Sequence, residues 1–160
     1  LFILLGGIKT PDWVSHLLIA YFVASLFQIR DKRPVFVGAL LPDIFKTFIP
    51  IMLLLHIEDV DITNFFAPYH TFYGVLLTGL FAATFFKDIR RAYPQILLGS
   101  FSHLTADVFL YPWGNNIWFF WPLWRGDLGT GTLWPDSLAP LAIAVFLSVI
   151  AYSYERYRAH

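Results

Sequence analysis

The sequence predicts an all-α fold, an integral membrane bundle of about five transmembrane helices. Three observations predict it. Apolar residues make up 58% of the 160 positions and charged residues only 14%, against about 45–50% and about 25% in soluble globular domains. The apolar residues gather into five runs, each near the roughly 17–25 residues that a helix needs to cross a bilayer core. The breaks between those runs alternate in charge, as loops on opposite sides of a membrane do. A chain of this length makes one domain, residues 1–160.

In order, the runs are 13–29, 35–55, 71–86, 95–111 and 137–154. Several sit at the short end of the range, which calls for helices extended into their flanks or a locally thin bilayer. Pro42 and Pro50 fall inside the second run and are expected to kink or break it, because proline removes a ladder donor. Strand-like alternation is weak throughout, and the chain shows no repeat or heptad array. Residues 1–8 (LFILLGGI) are apolar but too short to span. They lack the charged flank and following cleavage site of a complete secretory signal.

Orientation follows from the breaks. Arg30, Lys32 and Arg33 follow the first run, Lys87, Arg90 and Arg91 the third, and Arg156 and Arg158 the last. The loop that opens with His56-Ile57-Glu58-Asp59 has no Lys or Arg, and in 112–136 Arg125 stands alone beside Asp127 and Asp136. Basic loops stay inside, which sets the N-terminus outside and the C-terminus inside. Five of the six tryptophans, Trp113, Trp118, Trp121, Trp124 and Trp134, lie in the 112–136 loop. An interfacial aromatic belt accounts for them, and a lid beside an active site is the alternative. Gly126, Gly129 and Gly131 in the same loop suit tight turns. No strand precedes them and no helix follows as a nucleotide-binding loop requires.

Two classes drop out on composition. The formal net charge is zero and no basic run appears, so nucleic acid is not an expected partner. The chain has no cysteine, which removes disulfides, thiolate ligands and a cysteine nucleophile together.

What remains is a set of ionisable groups inside the apolar runs. An Asp at a helix centre costs about 2.5–3.5 kcal/mol on the insertion scale, so a chain that keeps one has a use for it. Asp43 lies in the second run, and Asp107 in the fourth. His16 in the first, His70 at the mouth of the third and His103 in the fourth add imidazoles. His103 and Asp107 form H-x-x-x-D, and four residues apart on a helix both leave the same face. With the orientation above, all five share one level in the outer half of the bundle. Three imidazoles and two carboxylates without thiolate suit zinc, with manganese or iron as alternatives. Such an ion would give Asp43, Asp107 and His103 direct catalytic parts as ligand or base.

Plainer readings stand beside this one. His103 and Asp107 pair equally well through a simple hydrogen bond, and Lys46 lies three residues beyond Asp43 and could neutralise it. Asp12 caps the first helix and Trp13 anchors it in the interface. His56 is solvated in its acidic loop, and His160 is terminal. Ser100, Ser102 and Thr105 suit bonds between helices.

The motifs PDWVSHLLIAYFVA, GALLPDIF, YHTFYGVLL and GSFSHLTADVF, followed by WFFWPL, occur in an order that resembles a prokaryotic family of membrane-bound, metal-dependent hydrolases, the LexA-binding, inner-membrane-associated hydrolases. The resemblance runs from about Pro11 to Leu123. It implies a site at His16, Asp43, His70, His103 and Asp107, residence in the cytoplasmic membrane of a prokaryote, and a distant likeness to zinc-dependent phospholipase C and single-strand nucleases. The reaction expected by that analogy is hydrolysis of a phosphoester such as a phospholipid. Phe45 stands where the family often has a second Asp, and Phe65 and Phe66 where it often has His-Arg. These departures motivate the alternative of a non-catalytic structural or interaction subunit with membrane-protein partners. A proton or ion carrier is the third class, since intramembrane Asp and His form relays; few polar groups line the inner halves of the runs.

Overall fold

The computed structural model describes residues 12–48, 54, 67–110, 119–124, 126, 128–134 and 137–158. Among the described residues five α-helices carry the fold: α1 (Asp12–Leu26), α2 (Arg33–Leu40), α3 (Phe72–Ala83), α4 (Ile89–Val108) and α5 (Ala139–Arg158). Two 3-10 segments, Leu41–Phe48 and Ala67–His70, continue α2 and precede α3. Among the described residues there is no strand, only an isolated bridge between Leu110 and Leu133. The all-helical expectation holds.

The helices differ in length from the apolar runs. Helix α2 stops at Leu40, and the chain tightens into the 3-10 segment as Pro42 arrives. Pro50 lies outside the described residues. The fourth run begins at 95, yet α4 starts at Ile89 because the Asp88 carboxylate accepts a hydrogen bond from the Arg91 amide at 3.1 Å. That is an N-cap, and it draws Arg90 and Arg91 into the helix. Among the described residues no helix is long and apolar enough to cross a membrane. The 15 residues of α1 reach about 22 Å at the helical rise, short of the roughly 30 Å hydrocarbon core. Helices α4 and α5 have 20 residues each, but Arg90, Arg91, His103 and Asp107 dilute the first, and Glu155, Arg156 and Arg158 end the second.

Small residues decide how the helices meet. The core between α1 and α2 is Ala20, Ala24, Val35 and Ala39, and that between α3 and α4 is Ala82, Ala83, Ala92 and Ile96. Where α2 crosses α4 the approach is closer still. A Cβ at Gly38 would overlap the Ile96 carbonyl oxygen, and one at Gly99 would overlap that of Val35. Backbone therefore rests on backbone. Helix α5 lies along α1 in the same direction. Ser148 Oγ donates to the Leu18 carbonyl at 2.9 Å, and Tyr21 donates its phenolic proton to Glu155 Oε2 at 2.9 Å. Lys32 Nζ closes this corner, 2.8 Å from Glu155 Oε1.

The Trp-rich loop is described in part. Its glycine stretch turns back over the C-terminus of α4, where the last carbonyls of any helix need donors. Thr130 N donates to Val108 O at 2.7 Å, and Leu133 N to Phe109 O at 2.9 Å. Gly131 between them has φ 59°, a left-handed backbone that glycine adopts without Cβ strain. Of the three glycines of the cluster, Gly131 shows the backbone expected of a turn.

Candidate metal centre

Each ionisable side chain is set by a local feature. Helix α1 carries His16 on a face that meets α4. Helix α4 carries His103 and Asp107 one turn apart, with His103 Nε2 3.2 Å from Asp107 Oδ2. Asp43 enters from the 3-10 segment. His70 ends the short turn before α3, and that turn is pinned from both sides. Thr71 Oγ1 donates to Pro68 O at 2.7 Å and accepts from Gly74 N at 3.0 Å, capping α3. A Cβ at Gly74 would overlap the Pro68 carbonyl, so glycine is what lets the turn fold onto the helix.

The five side chains converge. His16 Nε2 lies 3.3 Å from Asp107 Oδ1, and His70 Nε2 lies 2.6 Å from Asp107 Oδ2. Asp43 Oδ1 is 3.5 Å from His70 Nδ1 and 3.6 Å from His103 Nε2. His103 Nε2 and His70 Nε2 stand 3.3 Å apart. The His16 ring stacks on that of His103, centroids 3.6 Å apart and planes 17° from parallel. Burial is nearly complete for His16, Asp43 and His103. His70 keeps 20% of its side chain exposed and Asp107 keeps 11%, so solvent reaches the group from the His70 side.

Pro42 organises the approach of α4. In the i+4 pattern the Gly38 carbonyl would take the nitrogen of residue 42, and in the i+3 pattern so would that of Ala39. That nitrogen carries no hydrogen. The Gly38 carbonyl instead takes the Leu41 amide and the Ser100 hydroxyl, the latter at 2.9 Å. The Ala39 carbonyl takes His103 Nδ1 at 2.7 Å. Since a carbonyl only accepts, Nδ1 carries the proton, and in a neutral ring Nε2 is left with its lone pair facing the cluster. A backbone acceptor that fixes the tautomer this way is the usual support behind a ligating histidine.

Two sets of three donors lie within 4.8 Å of one another: His16, His103 and Asp107, and Asp43, His70 and His103. These buried His/Asp groups are able to bind a metal ion. Bonds of about 2.0–2.1 Å in tetrahedral geometry separate neighbouring ligand atoms by about 3.3–3.4 Å, and the contacts of 3.2, 3.3, 3.5 and 3.6 Å bracket that spacing. The 2.6 Å contact is too short for such an edge and is a hydrogen bond, His70 Nε2–H donating to Asp107. Both sets need His103 Nε2, which offers one lone pair. Among the described residues the two sets therefore share one ring.

No family model, no curated protein and no solved structure matches the chain.

Other sequence-level assignments fall in three groups. Ser100 bonds across to α2 as expected, whereas Ser102 Oγ turns back to Gly99 O of its own helix at 2.7 Å. Thr105 lines a cavity described below. The Lys46 and Asp12 side chains, His56, His160, Phe65 and Phe66, and the Phe45 side chain lie outside the described residues. Sequence reasoning missed the carbonyls of Ala39 and Pro42, the latter 3.3 Å from His70 Nδ1. Its available signal was a proline four residues beyond Gly38.

Proposed function

We propose that the protein is a membrane-embedded, metal-dependent hydrolase of a phosphoester, with one divalent ion, zinc in the first instance, held by residues drawn from His16, Asp43, His70, His103 and Asp107. The observation that carries this reading is the His103 ring: its Nδ1 is 2.7 Å from Ala39 O, and its Nε2 lies 3.2 Å from Asp107, 3.6 Å from Asp43 and 3.3 Å from His70. With neutral rings, the group holds two carboxylate charges in a nearly dry volume. A buried carboxylate is costly unless a positive partner meets it. A divalent cation answers both demands.

A divalent ion at such a site acidifies a water toward a pKa of about 7 and polarises a phosphoryl oxygen. The remaining work falls to the chain. His103 is oriented by Ala39, and Asp107 receives the His16 and His70 edges from either side. Asp43, near-fully buried and 3.5 Å from His70 Nδ1, is placed to hold a proton passed along that imidazole. His70, the most exposed of the five, faces incoming substrate and solvent. The order of sequence motifs, with its likeness to membrane-bound metal-dependent hydrolases, points the same way.

Membrane embedding is supported by where the large side chains lie. The buried contacts are mostly alanine, glycine and serine, whereas Leu77 and Phe81 of α3, Phe85 just beyond it, and Phe146 and Val149 of α5 are more than half exposed. Large apolar groups outside and small ones between helices is the distribution that suits lipid. The short helices then require a locally thinned bilayer. The proposed site is the cytoplasmic membrane of a prokaryote, with the His/Asp end toward the outside.

The test is metal content and turnover together. Protein purified from membranes in zinc-replete medium should carry about one zinc per chain and hydrolyse a chromogenic phosphodiester or a short-chain phospholipid. Chelation should abolish both, and zinc should restore both. Metal-free protein after replete purification, or turnover that survives His103→Ala, would overturn the reading.

A further inference from the structure

One cavity borders the His/Asp cluster and takes no part in the geometry above. It lies between α1, α4 and α5 and has a volume of about 570 Å³, within the roughly 300–1,000 Å³ of pockets that enclose small ligands. His16 sits in its wall. The same ring stacks on His103 and presents Nε2 to Asp107. The imidazole therefore has the cluster on one side and this space on the other.

The lining has a direction. The wall is apolar along its whole length apart from His16 and three hydroxyls, and Phe22, Val23, Leu98 and Leu147 stand at the end away from His16. His16 meets Asp107 while Val23 shares the wall with Leu98, so α1 and α4 run antiparallel along the space. From Leu98 to Phe109 the α4 wall measures about 16 Å at the helical rise. The cavity is long, partly open to the outside, and has the His16 imidazole in its otherwise mostly apolar wall. A void of this size lined by apolar side chains is not a water site, which needs polar partners.

We infer that this cavity seats a single acyl chain of the substrate, its tip among Phe22, Val23, Leu98 and Leu147 and its phosphoester at the His16 end, so the substrate class is an amphiphile with one chain to insert, such as a membrane phospholipid or its lyso form. This rests on the hydrolase reading. The chain does not serve chemistry directly. It holds the ester at the level of His16, Asp107 and His103, and a soluble phosphoester lacking it loses that positioning energy.

The test is site-resolved photolabelling. Zinc-loaded protein in nanodiscs is exposed to decyl phosphate with a diazirine at the chain end, and adducts are mapped by peptide mass spectrometry. Adducts should concentrate at Phe22, Val23 and Leu98. They should fall to the level of the outward-facing Leu77 and Val149 in Ala106→Phe and in Leu147→Trp, two independent fillings from different helices, with zinc content unchanged. Labelling that is even over outward-facing residues, or that persists in both filled variants, overturns the inference. Zinc without cavity labelling rejects the acyl seat and leaves the hydrolase standing. Cavity labelling in a protein that never takes up zinc rejects the hydrolase and leaves an amphiphile-binding site.

Discussion

The two ends of the helical bundle handle charge in opposite ways. At the end where α1 leads into α2, Asp31 and Arg33 pair through two contacts of 2.8 Å, and Lys32 meets Glu155 at 2.8 Å. These groups are wholly or partly exposed, and each acid has a base of fixed charge beside it. At the other end Asp107 is met by His16, His70 and His103, whose charge depends on protons or on an ion. Exposed pairs of the first kind contribute little, about 0–1 kcal/mol, because water already solvates both partners. Buried groups of the second kind carry a desolvation cost that must be met by something positive. The difference teaches that residue type alone does not mark a site. What marks it is acid buried against partners that can give up their protons.

Removing His103 should break this contrast most severely. His103→Ala takes away the ring common to both donor sets, and zinc per chain should drop from about one to near zero by elemental analysis. Next comes the framework that supports the ring. Gly99→Val puts carbon where the Val35 carbonyl already sits, and backbone cannot step aside as a side chain does. The cost should reach or exceed the roughly 1–3 kcal/mol typical of overpacking, read as a fall in unfolding temperature. Pro42→Ala is gentler and more telling. It restores an amide that competes for the Ala39 carbonyl, loosens His103, and should weaken zinc by about 10–100-fold, the usual effect of losing a supporting partner, while the helices persist by circular dichroism.

Smaller effects belong to the exposed end. Glu155→Gln should cost about 1 kcal/mol or less and leave zinc untouched; an equal loss of zinc would mean that the two ends are coupled. The smallest concerns acid. Hydrogen bonding from the Arg33 side chain holds the Asp31 carboxyl at about 2, below its ordinary 3.8. Because the folded value is depressed, the contribution is complete above the ordinary value and disappears as pH falls toward 2. Asp31→Asn should therefore abolish a slight slope in stability across that window and lower stability slightly at neutral pH, where the pair is fully formed.

The sequence made much of the site legible. H-x-x-x-D spacing put His103 and Asp107 on one face, and the ionisable groups within the apolar runs, His16, Asp43 and His70, are the ones the structure brings together with them. Periodicity identifies faces but not neighbours, so the partners of Ser100 and His103 on α2 were invisible. Helix limits were the least legible part. Arg90 and Arg91 read as loop because they are charged, but Asp88 caps the helix ahead of them. The cavity left no trace either, since a void is a property of three helices and not of any one of them.

The crossing of α2 and α4 has a mechanical consequence. Main chain abuts main chain at Gly38 and Gly99, so the distance between these two helices has no compressible padding, and Asp43, His103 and Asp107 are carried on what amounts to a rigid jaw. Helices α1 and α5 stand off α4 by side chains and an unfilled space. Any breathing that widens that space must then come from α1 and α5, with His16 as the one member of the cluster that rides on them.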